Sequence, residues 1–364
     1  MSQNCHKIKL NKFFFISFFC LLATFFFLSS GRNIKINQFT NYKLIDDSLS
    51  IRMENISLEN LLVQLGDSNY PHSLKKYDKE KYNIGKDLIN NGRTIIKGKK
   101  TKRISTFFVC IDCHNIGREF SLLESESSLD RLNFAKNNFI PYLPGSTFYG
   151  VYNRTSFYND DYVKKYGDLV NKASNNLNEA IQVCAKYCSS GRYLEAWELE
   201  AIMHYFKGNE LKISDLDLND EILLDIKNIA NLDSNQKNHL KNKVNSFYRQ
   251  FYSATFLPAM DINIRKYGEG GNVQNGKYIY NKSCLHCHAN SRVTYLNLGN
   301  DKLSAKMFEK NLTNYSDKSL YQIIRYGTYP KAGRKQYMPL YTKEKMSDDQ
   351  INDLVSYIKK LSNK

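Results

Sequence analysis

The feature that most constrains this chain is a five-residue pattern, Cys-x-x-Cys-His, that occurs twice. Cysteines three positions apart fall on one face of a helical turn, where their thiols can add to the two vinyl groups of one porphyrin. The histidine that follows is then placed to donate its imidazole to the iron. The pattern therefore predicts two covalently bound haem c groups. The two copies are Cys110-Ile-Asp-Cys113-His114 and Cys284-Leu-His-Cys287-His288.

Zinc ribbons and dithiol redox motifs are the alternative interpretations of paired cysteines. A zinc ribbon joins two Cys-x-x-Cys units across about 15–20 residues, whereas Cys113 and Cys284 are 171 positions apart. A thioredoxin-like pair does not require a histidine after its second cysteine, and it lies in a strand–helix–strand pattern that neither motif shows. With 8 cysteines in 364 residues, a disulfide scaffold is also excluded. Haem attachment remains the favoured interpretation.

The N-terminus carries an apolar segment that indicates export. Residues 13–30 hold no charge and contain eight of the 21 Phe residues, and they follow Lys7, Lys9 and Lys12. A basic start followed by an apolar stretch is typical of a signal peptide, but a stretch of this length also just spans a hydrocarbon layer of ~30 Å. We therefore predict a periplasmic protein in which residues 1–30 are either a cleaved signal peptide or an inner-membrane anchor.

The charge of the chain favours acidic partners. Lys and Arg number 52 against 36 Asp and Glu, which gives a net charge of +16. An exported protein rarely meets nucleic acid, so we expect none as a partner and predict acidic redox proteins instead. Membrane association through the N-terminus is a second predicted contact. The densest basic run, residues 97–103, is either a docking patch or a solvated loop.

The C-terminal part contains the other pieces of a small haem domain. Met338 precedes a proline and offers a thioether as the second axial ligand of the iron. Ser347 and Gln350 form a capping box that begins a helix, and apolar residues then recur at helical spacing. Residues 275–280 are expected to form the first helix, packed against this last one. Residues 269–364 thus resemble a class I cytochrome c domain.

A weaker copy of this arrangement precedes it. Residues 198–206 align with residues 350–358, with Tyr205 opposite Tyr357 and the apolar positions in the same phase. Residues 82–96 would supply the first helix of this copy. The predicted fold is mainly α, with two tandem class I cytochrome c domains joined by a helical linker. The boundaries are 31–80 for an N-terminal extension, 81–214 for domain 1, 215–268 for the linker and 269–364 for domain 2.

The sixth ligand of the first haem has no methionine candidate comparable to Met338. Counting back from the aligned helix leads to Cys184 and Cys188, for which three interpretations stay open. One of the two ligates the iron as a thiolate; the two form a disulfide; or both are inert buried thiols. His204 lies off the apolar phase of its helix and is predicted to be a surface histidine.

The placement of these motifs resembles dihaem cytochromes of the thiosulfate dehydrogenase type. The resemblance implies that His114 and Cys184 ligate the first haem at an active site, and that His288 and Met338 ligate the second haem. Members of that family have Arg-Ser shortly after the ligand cysteine, where this chain has Tyr187 and Cys188.

The missing arginine bears on function, because it would help to hold an anionic substrate. Arg192 is a possible substitute for it. We therefore favour an electron carrier over an enzyme that oxidises or reduces a small sulfur anion, and we assign no catalytic residue.

Overall fold

The structure is a computed structural model that describes residues 55–289, 293–294, 296–299, 301–316, 318–328 and 338–363. The predicted signal or anchor segment, residues 1–30, and residues 31–54 of the predicted extension lie outside these ranges. The described residues belong to one compact unit that is mainly helical, as predicted. None of its helices combines the length and the apolar character needed to cross a membrane.

The described residues form α-helices, one small hairpin and several single turns. The helices are α1 Leu58–Gln64, α2 Lys79–Asn91, α3 Ser128–Asn138, α4 Asp160–Tyr166, α5 Asp168–Asn171, α6 Leu177–Val183, α7 Ala196–Gly208, α8 Asp220–Lys227, α9 Ser234–Asn245, α10 Val273–Ile279, α11 Leu285–His288, α12 Asp301–Lys310, α13 Leu320–Tyr326 and α14 Asp348–Ser362. The antiparallel strands are β1 Ile95–Ile96 and β2 Lys99–Lys100. The 3₁₀ turns are Cys110–Asp112, Val151–Asn153, Ile213–Asp215 and Ile229–Asn231, and the π turns are Cys184–Cys188 and Tyr280–Cys284.

The last helix, α14, forms as the sequence predicts. The Ser347 hydroxyl accepts a hydrogen bond from the Gln350 N–H, and Gln350 completes the capping box. Its apolar face is buried in the largest core cluster. It crosses α10 closely, because Gly276 has no side chain: a Cβ there would lie 2.0 Å from the Asp353 carbonyl oxygen and 2.8 Å from the Tyr357 Cβ.

The same crossing occurs between α2 and α7. A Cβ on Gly85 would lie 2.1 Å from the Ala201 carbonyl oxygen and 2.9 Å from the Tyr205 Cβ. In both crossings a glycine of the first helix therefore contacts the backbone and an aromatic residue of the last. We call residues 79–208 the first-motif region and residues 273–362 the second-motif region.

The two regions differ in how the first helix leads to the Cys-x-x-Cys-His motif. In the second, α10 continues through the π turn Tyr280–Cys284 into α11, so that the motif lies on the same run of helix. In the first, α2 ends at Asn91 because Gly92 adopts the left-handed conformation, with φ 67°. The hairpin follows, so the prediction of a helix over residues 82–96 is wrong beyond residue 91.

A separate core cluster lies around the segment predicted as a helical linker. Residues 215–268 contain α8 and α9, whose apolar sides pack against α1 and the chain that follows α7. Residues 246–268 contain no helix. The segment thus contributes to a core that includes the end of the predicted N-terminal extension.

Candidate haem-binding sites

The first motif is held in a tight turn beside a loop that orients its histidine. The Asp112 carboxylate accepts a 2.7 Å hydrogen bond from the Val109 N–H and so caps the 3₁₀ turn. The Nδ1 atom of His114 lies 2.6 Å from the Ser146 carbonyl oxygen. Because a carbonyl only accepts, Nδ1 carries the proton and Nε2 keeps its lone pair. Burial lowers the pKa of His114, which also favours this neutral form.

Close packing fixes the His114 ring from the same side. A Cβ on Gly145 would lie 2.6 Å from the imidazole ring and 2.6 Å from the Cys113 carbonyl oxygen. The Phe148 ring stacks on the imidazole with centroids 4.5 Å apart. The loop therefore sets the tautomer and the orientation of the ring, as outer-shell partners of metal-bound histidines do.

The second motif repeats this chemistry with a shorter loop. The Nδ1 atom of His288 lies 2.9 Å from the Leu296 carbonyl oxygen, and the Leu298 N–H donates to the His288 carbonyl. Burial lowers the pKa of His288 as well. Both histidines thus present an unprotonated Nε2, so both motifs fit the proximal-ligand role that haem c requires.

The two motifs contact each other. The Cys287 thiol lies 3.9 Å from the Asp112 carbonyl oxygen, and the Cys113 thiol is close enough to interact electrostatically with Cys287. Asp112 and Cys287 are 175 positions apart, so this contact is a product of the tertiary fold. The structure therefore brings the two predicted attachment sites together.

Cys184 and Cys188 lie in the π turn that follows α6. Neither cysteine forms a disulfide. They hydrogen-bond to each other, and Cys184 interacts electrostatically with Cys110 and Cys113 of the first motif. The hydrogen bond with Cys188 raises the pKa of Cys184, but a thiol that coordinates a metal loses its proton. The structure thus places the predicted ligand beside the predicted attachment site.

Met338 is positioned through its backbone. Its N–H donates a 2.7 Å hydrogen bond to the Thr328 hydroxyl, and its carbonyl accepts a 3.0 Å bond from the Thr328 N–H. Gly327, with φ 66°, allows this approach, since a Cβ there would lie 2.3 Å from the Met338 carbonyl oxygen. Residues 336–337 of the predicted methionine loop lie outside the described residues.

Sequence reasoning missed a buried ion cluster that joins the two regions. Arg131 donates to both carboxylate oxygens of Glu119, at 2.9 and 3.1 Å, and to the Lys345 carbonyl at 3.0 Å. The Lys345 Nζ atom lies 3.4 Å from Glu119. Although burial opposes it, the two cations lower the pKa of Glu119 to about 2.

Two expectations about single side chains need correction or qualification. His204 is not a surface histidine: it is 4% exposed, and its Nδ1 atom accepts a hydrogen bond from the Asp78 N–H at the start of α2. Arg192, the possible substitute for the missing substrate arginine, makes 2.6 and 2.7 Å hydrogen bonds to the Glu198 carboxylate. It also donates to backbone carbonyls before the first motif, at Arg103 and Lys102.

Three features define a c-type cytochrome domain in the C-terminal part. They are the crossing of α10 and α14, the Cys-x-x-Cys-His motif that lies between these helices in the chain, and Met338, whose backbone is held by Thr328. Residues 271–358 match the family model described as cytochrome c oxidase, cbb3-type, subunit III. Searches of curated proteins and of solved structures found no match to the chain. A cytochrome c domain implies covalently bound haem c and supports a role in electron transfer.

Proposed function

We propose that this protein is an exported dihaem cytochrome that passes electrons between a donor and an acceptor. The observation that carries the proposal is the contact between the two motifs, in which the Cys287 thiol lies 3.9 Å from the Asp112 carbonyl oxygen. Haems attached to touching motifs are neighbours, so an electron on one has a short path to the other. Two considerations support a periplasmic location: the predicted leader at residues 1–30, and the fact that cytochrome c domains are typically exported.

The first-motif region supports a second cytochrome c domain by two independent features. It repeats the glycine-mediated helix crossing, with Gly85 against Ala201 as Gly276 is against Asp353. It also repeats the histidine tautomer, with the His114 Nδ1 atom bonded to a backbone carbonyl. We therefore assign tandem domains at residues 81–214 and 269–364.

The axial ligands give the proposal a direction. His114 and Cys184 would hold the first iron, and His288 and Met338 the second. A thioether ligand raises the potential of a haem, whereas an anionic thiolate stabilises the oxidised iron. Electrons would therefore enter at the first haem and leave at the second, and two equal midpoint potentials would contradict this order.

Haem counting tests the number of sites. We expect two haems per chain by the pyridine haemochrome assay, and one in each of two double variants, Cys110→Ala/Cys113→Ala and Cys284→Ala/Cys287→Ala. A Cys188→Ala variant is the matched control, since it removes a cysteine outside both motifs and should keep two. One haem per chain in the unmodified protein, unaffected by the first double variant, would overturn the dihaem assignment.

The sixth ligand of the first haem is tested by spectroscopy. Low-temperature EPR of a Cys184→Met variant should lose the thiolate-type low-spin signal while the second haem is unchanged. An unchanged first-haem spectrum would reject Cys184, and a spectrum that changes only in Cys188→Ser would assign the other cysteine.

The proposed partners rest on the net charge of the chain and on its N-terminal segment. A net charge of +16 favours acidic redox proteins, and the N-terminal segment offers a membrane tether if it is retained. N-terminal sequencing of the mature protein distinguishes a cleaved leader from an anchor. No observation favours sulfur-anion chemistry, because Arg192 is already bonded to Glu198.

A further inference from the structure

The ion cluster between the two regions holds more positive than negative charge. Its members are all nearly inaccessible to solvent: Arg131 is 1% exposed, Glu119 2%, Lys345 4% and Arg154 5%. Arg131 and Glu119 form a bidentate pair, which leaves the charges of Arg154 and Lys345 without a carboxylate of their own.

Lys345 shares the Glu119 carboxylate with Arg131, at 3.4 Å, and the other contacts of these two cations are with neutral groups. Both lie over the Tyr252 ring, with Arg154 at 4.2 Å and Lys345 at 5.4 Å from its centroid. Arg154 otherwise donates to the Thr147 and Tyr149 carbonyls. Among the described residues, Glu119 is the one carboxylate with a leading electrostatic effect on either cation.

Such an excess is costly in a protein interior. Arg and Lys are almost never fully buried unless they are paired, and an uncompensated buried ion costs several kcal/mol. Burial, together with the nearby Arg131 and Arg154, lowers the pKa of Lys345 to about 8, in line with such a cost. The cluster therefore needs two further negative charges to be balanced.

Two hydrogen bonds connect the ion cluster to the residues that hold the His114 ring. The Asn115 side chain, next to His114, donates a 2.7 Å hydrogen bond to Glu119. Arg154 donates a 2.6 Å bond to the Thr147 carbonyl, and Thr147 follows the residue whose carbonyl holds the His114 ring. The unbalanced cations thus lie beside the site proposed for the first haem.

We infer that Arg154 and Lys345 bind the two propionate carboxylates of the haem attached at Cys110 and Cys113. This inference rests on the proposed first haem. Two carboxylates supply the two negative charges that the cluster needs, and each would accept charge-assisted hydrogen bonds. Because Lys345 belongs to the second-motif region, the haem of one region would be held in part by the other.

A positive charge near a haem favours the reduced form, which carries one more electron. Removing either cation should therefore lower the midpoint potential of the first haem. We expect Lys345→Gln and Arg154→Gln each to lower the equilibrium constant for reduction of the first haem about tenfold, which corresponds to a midpoint potential lower by ~59 mV for one electron. The second haem should keep its potential. Lys360→Gln, an exposed lysine near the end of α14, is the control.

The test combines a spectroelectrochemical titration, a haem count and resonance Raman spectra of the full chain. The propionate bending bands should shift in Lys345→Gln and Arg154→Gln but not in Lys360→Gln, and Lys345→Arg should keep both the bands and the potential near their original values. Two haems with unchanged bands and potentials in the Gln variants would overturn the inference while leaving the proposed function intact. One haem in the unmodified protein would instead overturn the proposed function. If Lys345→Gln fails to fold, Lys345→Arg and Arg154→Gln still decide the outcome.

Discussion

The two motif regions cross their first and last helices in the same way but hold their histidines by loops of very different length. The carbonyl that receives the His288 Nδ1 proton is eight positions along the chain, whereas the carbonyl that receives the His114 proton is 32 positions along. The tautomer is the same in both. The comparison shows that the two regions share a glycine crossing and a backbone carbonyl bonded to the imidazole Nδ1 atom, whereas the lengths of the connections between these features differ.

The largest expected effect tests whether the regions are independent of each other. Glu119→Gln removes the carboxylate that Arg131 and Lys345 share, and it leaves buried cations without a partner. Breaking a buried ion pair in this way costs roughly 3–5 kcal/mol of unfolding free energy. Chemical denaturation measures it, with Glu200→Gln as the control, since that side chain is 48% exposed. Equal stability of the two variants would show that this connection between the regions contributes little to the stability of the protein.

The pH dependence of unfolding should reveal the contribution of the same carboxylate. The folded pKa of Glu119 is about 2, below its ordinary value of 4.5, so its ionised form stabilises the folded protein. That stabilisation is complete above pH 4.5 and is lost as the pH falls towards 2, by roughly 3 kcal/mol from this group. Unfolding free energies measured at pH 5 and pH 3 should differ less in Glu119→Gln than in the unmodified protein. An identical pH dependence would contradict the role of this carboxylate.

The glycine crossings test what the regions share. Gly85→Ala and Gly276→Ala each place a Cβ about 2 Å from a carbonyl oxygen of the facing helix, and overpacking of this kind costs about 1–3 kcal/mol. We expect similar losses in thermal unfolding for the two variants. Gly117→Ala is the matched control, because a Cβ there meets nothing within 4 Å. A loss in only one variant would show that the crossings are not equivalent.

The smallest expected effect concerns the start of the last helix in the second-motif region. Ser347→Ala removes the hydroxyl that accepts the Gln350 N–H at 3.3 Å, and loss of an N-cap costs about 1 kcal/mol. Ser121→Ala, on an exposed turn, should cost less than half of that by the same denaturation measurement. A Ser347→Asp variant, which restores a cap, should recover the loss.

Local sequence patterns predicted the features that are encoded within a few residues. The two motifs, the capping box of α14 and its apolar face all lie within one helical turn or one periodic run, and the helix forms as expected. The family match at residues 271–358 supports the predicted cytochrome domain there.

Features that depend on distant residues could not be predicted in this way. Glu119 and Lys345 are 226 positions apart, and no pattern in the sequence around either residue indicates an ion pair. The Ser146 and Leu296 carbonyls under the histidines belong to the backbone, which every residue type supplies. The sequence predicts a surface position for His204, whereas its partner is the N-terminus of another helix, α2, which lies 126 positions away along the chain.

The glycine crossings also bear on how much extra chain this architecture tolerates. Gly85 and its contact Ala201 are 116 positions apart, against 77 for Gly276 and Asp353. The entropy of closing a loop grows only with the logarithm of its length, so the longer closure costs about 0.4 kcal/mol more. The hairpin and the long segment between His114 and Ser146 therefore add little to the entropic cost of closing the first-motif region. Insertions there can acquire new contacts, such as those with the second-motif region, at little cost to the closure of the fold.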